Sequence, residues 1–264
     1  MSNYIRILGS GSSLGSPWIT RNWGLLNKKN KKNIRTRCWA HIKYKNLSIL
    51  IDTSPDLKKQ FLDNNITNLD AVLYSHEHAD QTSGIFELRP FLWKNKKKIK
   101  MYGSKRTISQ LRNKYDFIFT KKQGYLPIGE SKIISNHVTI SKGNTKVNFK
   151  CFEVRHGEIT STAYVFNKVA YISDCKNVDR KHYKHLDKLN LLIIDCLKFK
   201  SHPGHFNFEE SIEFAKKINA KKTVLTNLHV DLDYNFLLKN TPKNFYPAYD
   251  GMKLSFWFFL NTDN

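Results

Sequence analysis

The stretch that most restricts what this chain can become lies between residues 71 and 81. A short apolar run, 71–74, gives way at once to Ser75-His76-Glu77-His78-Ala79-Asp80-Gln81. Two imidazoles and a carboxylate at alternate positions can converge on one ion from a single tight turn. Four further loops carry ligand-type side chains, each just after an expected strand: His156 after 147–154, Asp174 after 169–172, His202 and His205 after 191–195, and His229 after 223–226. Six of the ten histidines fall in these loops. A lone histidine is usually structural, but six at strand ends point to a metal site.

Around these loops the pattern mixes short β runs with amphipathic helices. Strands are expected at 4–8, 38–44, 47–51, 71–74, 99–102, 147–154, 161–166, 169–172, 191–195, 223–226 and 252–259, with a hairpin about Lys45-Asn46. Ser54 as cap and Pro55 as first helical residue open a helix that runs to about Asn64. Further helices are read over 104–114, near 179–186 and after Asn207. The last of these carries Glu209 and Glu210 in its first turn, where negative charge is favoured. Residues 18–36 read as a polar, basic insertion and 115–130 as loop. No repeat and no Pro/Gly/Ser-rich linker divides the 264 residues, so one domain over 1–264 is expected. Two sets of strands interleaved with helices suggest an α/β sandwich.

Composition excludes some classes. Hydrophobic residues at 40% rule out wholesale disorder. No apolar run approaches the ~20 residues that span a bilayer, and the start, MSNYIRILGSGSS, shows no signal-type apolar region, so neither a membrane partner nor secretion is expected. Four scattered cysteines without CxxC spacing fit a reducing cytoplasm. The formal charge of +22 attracts phosphates and nucleic acids, although a lysine- and asparagine-rich composition also arises from an AT-rich genome. Two clusters are dense, residues 28–37 and 94–100.

HxHxD after a hydrophobic strand, then His, Asp and His, resembles the ligand order of the metallo-β-lactamase superfamily. LGSGSSLGSP, IDTSPDLKKQFLD, LDAVLYSHEHADQTSGIFELRPF, SDC, HPGHFNF, TNLHVDLDY and PAYDGM resemble segments of one branch, the phosphoribosyl cyclic phosphodiesterase-like proteins related to tRNA 3′-processing endonucleases. The resemblance runs in order along nearly the whole chain. It implies an αββα sandwich of two mixed sheets flanked by helices. It implies one or two divalent ions per chain, zinc or manganese. His76, His78 and His156 would hold the first, Asp174 would bridge, and Asp80 and His229 would hold the second. Where the family has a histidine after Asp80 this chain has Gln81, a weaker neutral ligand. His205 matches a histidine that faces the substrate phosphate and, with Asp80, is assigned to catalysis. His202 is a candidate for the same face. Arg35 and Arg37 match a basic element near the mouth, suited to phosphate or simply solvated.

GSGSS lacks the GKS/T ending of a P-loop and reads as a tight turn against the metal loop. Asp52, Asp231 and Asp233 are candidates to orient metal-bound histidines, Asp56 a first-turn charge. Residues 256–259, three phenylalanines and Trp257, read as core or interface. The expected activity is hydrolysis of a small cyclic phosphate or nucleotide-type phosphoester by a metal-activated hydroxide. The rivals are tRNA 3′ cleavage, with nucleic acid as partner, and a non-catalytic nucleotide- or phosphate-binding protein with a weakened second site. A homodimer is compatible with either.

Overall fold

The computed structural model describes residues 3–122 and 124–256. The first sheet forms from β1 (Tyr4–Gly9), β2 (Trp39–Tyr44), β3 (Leu47–Ile51), β4 (Ala71–Leu73), β5 (Ile99–Gly103) and β6 (Gly129–Ile133). The second forms from β7 (His137–Lys142), β8 (Thr145–His156), β9 (Ile159–Phe166), β10 (Val169–Ile172), β11 (Leu191–Asp195), β12 (Thr223–Thr226) and β13 (Phe245–Pro247). The chain then returns to the first sheet as β14 (Lys253–Ser255), giving orders β14-β1-β2-β3-β4-β5-β6 and β13-β12-β11-β10-β9-β8-β7. Both sheets are mixed. Pairing is antiparallel from β14 through β1 and β2 to β3 and from β7 to β10, and parallel from β3 to β6 and from β10 to β13.

The helices are α1 (Leu57–Asp63), α2 (Ala79–Thr82), α3 (Arg89–Asn95), α4 (Lys105–Lys114), α5 (Asp116–Phe119), α6 (Phe208–Ile218) and α7 (Tyr234–Asn240). Strand alternation sorts the apolar residues into three layers. Ile5, Ile42, Ile49 and Leu73 meet Phe149, Tyr164, Tyr171 and Ile193 between the sheets. Leu8, Trp39, Leu50 and Val72 turn outward onto α1, α3, α4 and α5. Ala170, Ile172, Leu192 and Ile194 turn outward onto α6 and α7. The order helix, sheet, sheet, helix is the expected αββα sandwich. The four cysteines are unpaired and buried, Cys151 between the sheets and Cys175 and Cys196 under α6. Among the described residues no helix is long and apolar enough to cross a membrane.

Several boundaries differ from the expectation. The first helix starts at Leu57, because the Ser54 hydroxyl accepts from the Asp56 amide and closes a turn before helical bonds begin. Residues 115–130 are not all loop: α5 buries Ile118, and β6 adds a polar edge strand. β7 adds a strand beyond those expected, with Val138 and Ile140 alternating with exposed residues. The expected helix near 179–186 is a 3-10 turn, Arg180–His185, with no buried residue to anchor a longer one. The last strand is Lys253–Ser255; Phe256 packs in the inter-sheet core, and Trp257, Phe258 and Phe259 lie outside the described residues.

Asp250, partly buried just before β14, accepts from the amide and hydroxyl of Ser10 at 2.9 and 2.8 Å and from those of Thr36 at 2.7 and 2.6 Å. It joins the glycine-rich turn after β1 to the lead-in of β2. That turn is tight, as read: Gly11 bridges to Arg37 and Leu228, and a Cβ at Gly9 would lie 1.9 Å from the Arg37 carbonyl.

Candidate metal centre

The ligand-bearing loops leave the sheets at one end. β4 delivers His76 and His78, β8 ends in His156, β10 precedes Asp174, β11 precedes His205, and β12 precedes His229. His76 is fully buried. Its Nδ1 lies 3.0 Å from the Ser75 hydroxyl, which donates to Asp52 at 2.7 Å while the Ser75 amide donates to the other Asp52 oxygen. Because the serine proton goes to Asp52, the hydroxyl accepts from His76 Nδ1–H, leaving the Nε2 lone pair free. Asp52 therefore orients His76 through Ser75 rather than directly. His156 is set the same way: Nδ1 lies 2.7 Å from the Gly204 carbonyl, an acceptor only, so Nε2 carries its lone pair.

Those two Nε2 atoms meet His78 Nδ1 at 3.0 and 3.2 Å. A proton on His78 Nδ1 could serve only one of the two facing Nε2 lone pairs, whereas a cation at their meeting point satisfies all three nitrogens. A tetrahedral ion at 2.0–2.1 Å from each would space its nitrogens about 3.3 Å apart, so the donor set fits one. Burial, then the neighbouring imidazoles His156 and His78, hold His76 well below the ordinary histidine range, in the neutral form a ligand requires.

His156, Asp174 and His205 form a second convergent group. Asp174 follows β10 in a left-handed conformation, φ 50°. His205 Nδ1 is 2.7 Å from Asp195 and 3.9 Å from Asp174. Burial alone would lower the His205 imidazole, but Asp195, Asp174 and Asp80 outweigh it and raise it to about 9. His205 is thus nearer the ligand cluster than expected. Asp195, fully buried, and Asn227, whose amide donates to Asp195 at 3.0 Å, are the partners that sequence reasoning missed. The signal for Asp195 was present: an acid closing the apolar strand LLIID must find a partner where it is buried.

Burial also raises the carboxyls of Asp80 and Asp174, each further raised by a neighbouring carboxylate. Gln81 lies between them, its Nε2 3.3 Å from an oxygen of each, while its Oε1 is buried without a partner. The amide thus bridges the acids as a donor. Turning it over would aim oxygen at two carboxylates, which is favourable only around a cation.

The remaining residues divide. His229 joins neither convergent group among the described residues; its Nδ1 is 3.0 Å from Asp231 and its ring meets Trp18 edge-on at 5.5 Å. His202 lies beside His205, ring centroids 5.0 Å apart, with Nδ1 accepting from the Gly204 amide. Arg35 does not reach the mouth. Its guanidinium is buried and donates to the carbonyls of His229 and Leu232 and to Asn33 Oδ1, and burial lowers it to about 10. A buried arginine held by two carbonyls of the 229–232 loop and by the Asn33 side chain shapes that loop instead of meeting phosphate. Arg37 is half-exposed and bound to Asp56 and the Ser13 carbonyl. Asp56 therefore serves Arg37 rather than a helix start. Asp233 caps α7, donating no orientation to a histidine.

Residues 48–227 match the model of the β-lactamase superfamily domain. The crystal structure of a diphosphatase from the PhnP family superposes with a TM-score of 0.88 at 28% identity, over 97% of this chain and 98% of its own. Zn(2+)-bound PqqB from Methylobacterium extorquens (TM-score 0.75, 15% identity, 96% of this chain and all of its own) and the short form of human tRNase Z (0.68, 17%, 97% and all) share the fold. An octanoyltransferase of Porphyromonas gingivalis is 27% identical over 94% of this chain and 50% of its own, so this chain spans half the length of the curated relative it matches.

Proposed function

This chain belongs to the β-lactamase superfamily domain family, and from that premise we propose that it is a metal-dependent phosphodiesterase acting on a small cyclic phosphate or nucleotide-type phosphoester. The observation that carries the proposal is the convergence of His76, His78 and His156 beside His205 and Asp174, in a chain that is 28% identical across nearly its full length to a PhnP-family diphosphatase. The name octanoyltransferase describes a chain twice as long and is not carried over.

In this reading His76, His78 and His156 hold a divalent ion, zinc or manganese, with Asp174, Asp80 and Gln81 around a second position. Bound there, such ions supply Lewis acidity and lower the pKa of water to near neutrality. The protein's own contribution is positional. Asp52 and Ser75 fix one imidazole, and the Gly204 carbonyl fixes another. Asp195 holds His205 with its proton, aimed into the site from the side of Asp174. An imidazolium there donates a hydrogen bond to a phosphoryl oxygen as charge develops and can pass its proton to the leaving oxygen. The same proposal takes the chain as one hydrolase domain in the cytoplasm, where its unpaired thiols stay reduced.

The test is turnover of bis(p-nitrophenyl) phosphate by purified protein, with elemental analysis of the same sample. Hydrolysis that vanishes on chelation and returns with Zn²⁺ or Mn²⁺ is expected. The charge of +22 favours a second reading, tRNA 3′ cleavage; processing of a tRNA precursor with no turnover of small diesters would select it. Phosphate binding with neither activity would select the non-catalytic reading that Gln81 invites.

A further inference from the structure

At the end of the sandwich away from the metal loops, the two sheets part around a cavity of about 480 Å³. Its first-sheet wall is the lead-in to β4 and β5; its second-sheet wall is the β7–β8 hairpin turn at Lys142-Gly143. β8 runs from that turn to His156, eleven steps of about 3.3 Å, so roughly 35 Å of strand separates this cavity from the metal centre. The wall is made by KNKKKIK, the dense cluster that the metal centre leaves unused.

Strand alternation places Lys100 on the inter-sheet face, at its exposed margin. Ile99 and Met101 pack under the helices of the first sheet. Lys100 and Tyr102 therefore take the opposite face, and Tyr102 belongs to the inter-sheet core. Lys100 thus occupies a position that, one turn of the pleat deeper, is apolar. Lys97 and Lys98 line the same cavity from the preceding loop. Two carboxylates stand nearby and both are taken: Asp70 pairs with Lys142 at 2.8 Å, and Glu130 with Lys132 at 2.5 Å. Among the described residues Lys97, Lys98 and Lys100 have no ion-pair partner. Asp70 lines the same cavity and Glu130 stands opposite Lys100, so two carboxylates face four lysines there (Lys97, Lys98, Lys100 and Lys142), and positive charge is in excess on one concave wall.

We propose that this cleft is an anion site, separate from the metal centre, that takes an oligophosphate of two or three linked phosphate groups. The lysine Cα atoms span up to about 10 Å of extended chain, which gives two or three linked phosphates a partner each. Ammonium groups bind phosphate as point charges and tolerate the variable geometry of a flexible oligophosphate. The cleft is between sheets, so its occupant contacts both and is partly screened from solvent.

The probe is inorganic tripolyphosphate, titrated calorimetrically into the full chain at about 150 mM salt, where distant surface charges are screened. The variant Lys97→Gln/Lys98→Gln/Lys100→Gln should weaken binding by about tenfold or more. Lys28→Gln/Lys29→Gln/Lys31→Gln removes the same charge from the other cluster and should leave affinity within about twofold. In parallel, tripolyphosphate should protect Lys97, Lys98 and Lys100 from acetylation, read by mass spectrometry, but not the exposed Lys58. Both triple variants should hydrolyse bis(p-nitrophenyl) phosphate as the parent does, and the footprint stands even if no hydrolysis is seen. Equal weakening by both triples would show general charge attraction and overturn the proposal. Unprotected Lys97, Lys98 and Lys100 would place the binding elsewhere on the chain and overturn it too. Protection by single-stranded RNA but not by tripolyphosphate would replace it with a nucleic-acid surface.

Discussion

Asp250→Asn sets two opposing effects on one partly buried carboxylate against each other. Four donors point at Asp250, two of them main-chain amides. Such donors favour the ionised form, while burial disfavours it, and burial wins: the carboxyl is raised from 3.8 to about 6. The sign follows. A carboxyl that binds its proton more tightly when folded contributes stability at pH below its unfolded value and loses that contribution as pH rises through 3.8 toward about 6. The full loss is on the order of 3 kcal/mol, of which about 1 kcal/mol falls between pH 5 and 7. Asparagine has no such dependence, but its NH2 must face the amide of Ser10 or of Thr36, leaving one buried N–H unpaired at about 1–3 kcal/mol. The variant should therefore be less stable than the parent at pH 5, and the gap should narrow by about 1 kcal/mol at pH 7. Urea unfolding of both proteins at the two pH values measures this difference, and other titrations cancel in it. A gap that widens toward pH 7 would show that the four donors outweigh burial and would refute the reasoning.

Further outcomes are specific. His205→Ala should lower kcat on bis(p-nitrophenyl) phosphate by about 10²-fold with metal content intact, and metal loss would instead make His205 a ligand. Gln81→His should convert a second ion that dialyses away into one that stays, read by elemental analysis, because imidazole replaces a neutral amide between Asp80 and Asp174. Two equally tight ions in the parent would make Gln81 a spectator. Gly84→Ala should cost more than about 3 kcal/mol in urea unfolding, since its Cβ would lie 2.0 Å from the Ser54 carbonyl oxygen; a near-native midpoint would contradict that packing.

How far the sequence could be read depended on whether a residue's direction is set locally. The loops that carry His76, His78, His156, Asp174 and His205 could be picked out because an apolar strand followed by His or Asp has few ways to present it, whereas the loop of His229 looked the same and joins neither group. Strands such as β10 and β11 were legible because their apolar runs are bounded on both sides, though their pairing was not. Arg35 was not, since an R-x-R segment looks the same whether its guanidinium meets solvent or the carbonyls of a loop 194 residues away. Asp195 and Asn227 became partners of His205 only through the parallel pairing of β11 with β12, which no local pattern encodes. β6 was obscured because an edge strand with exposed Lys132 and Ile133 carries little alternation.

The placement of the cysteines gives this molecule an internal clock. Burial raises the thiols of Cys151, Cys175 and Cys196, and Cys38 is likewise buried, its sulfur 3.1 Å from the Thr226 hydroxyl. Thiol reagents attack the thiolate, so the native chain is silent to them, and each modification records an opening event. Cys151 reports separation of one sheet from the other, whereas Cys175 and Cys196 report detachment of the helical layer that α6 belongs to. The order in which the unaltered protein takes up a label is therefore the order in which its layers come apart.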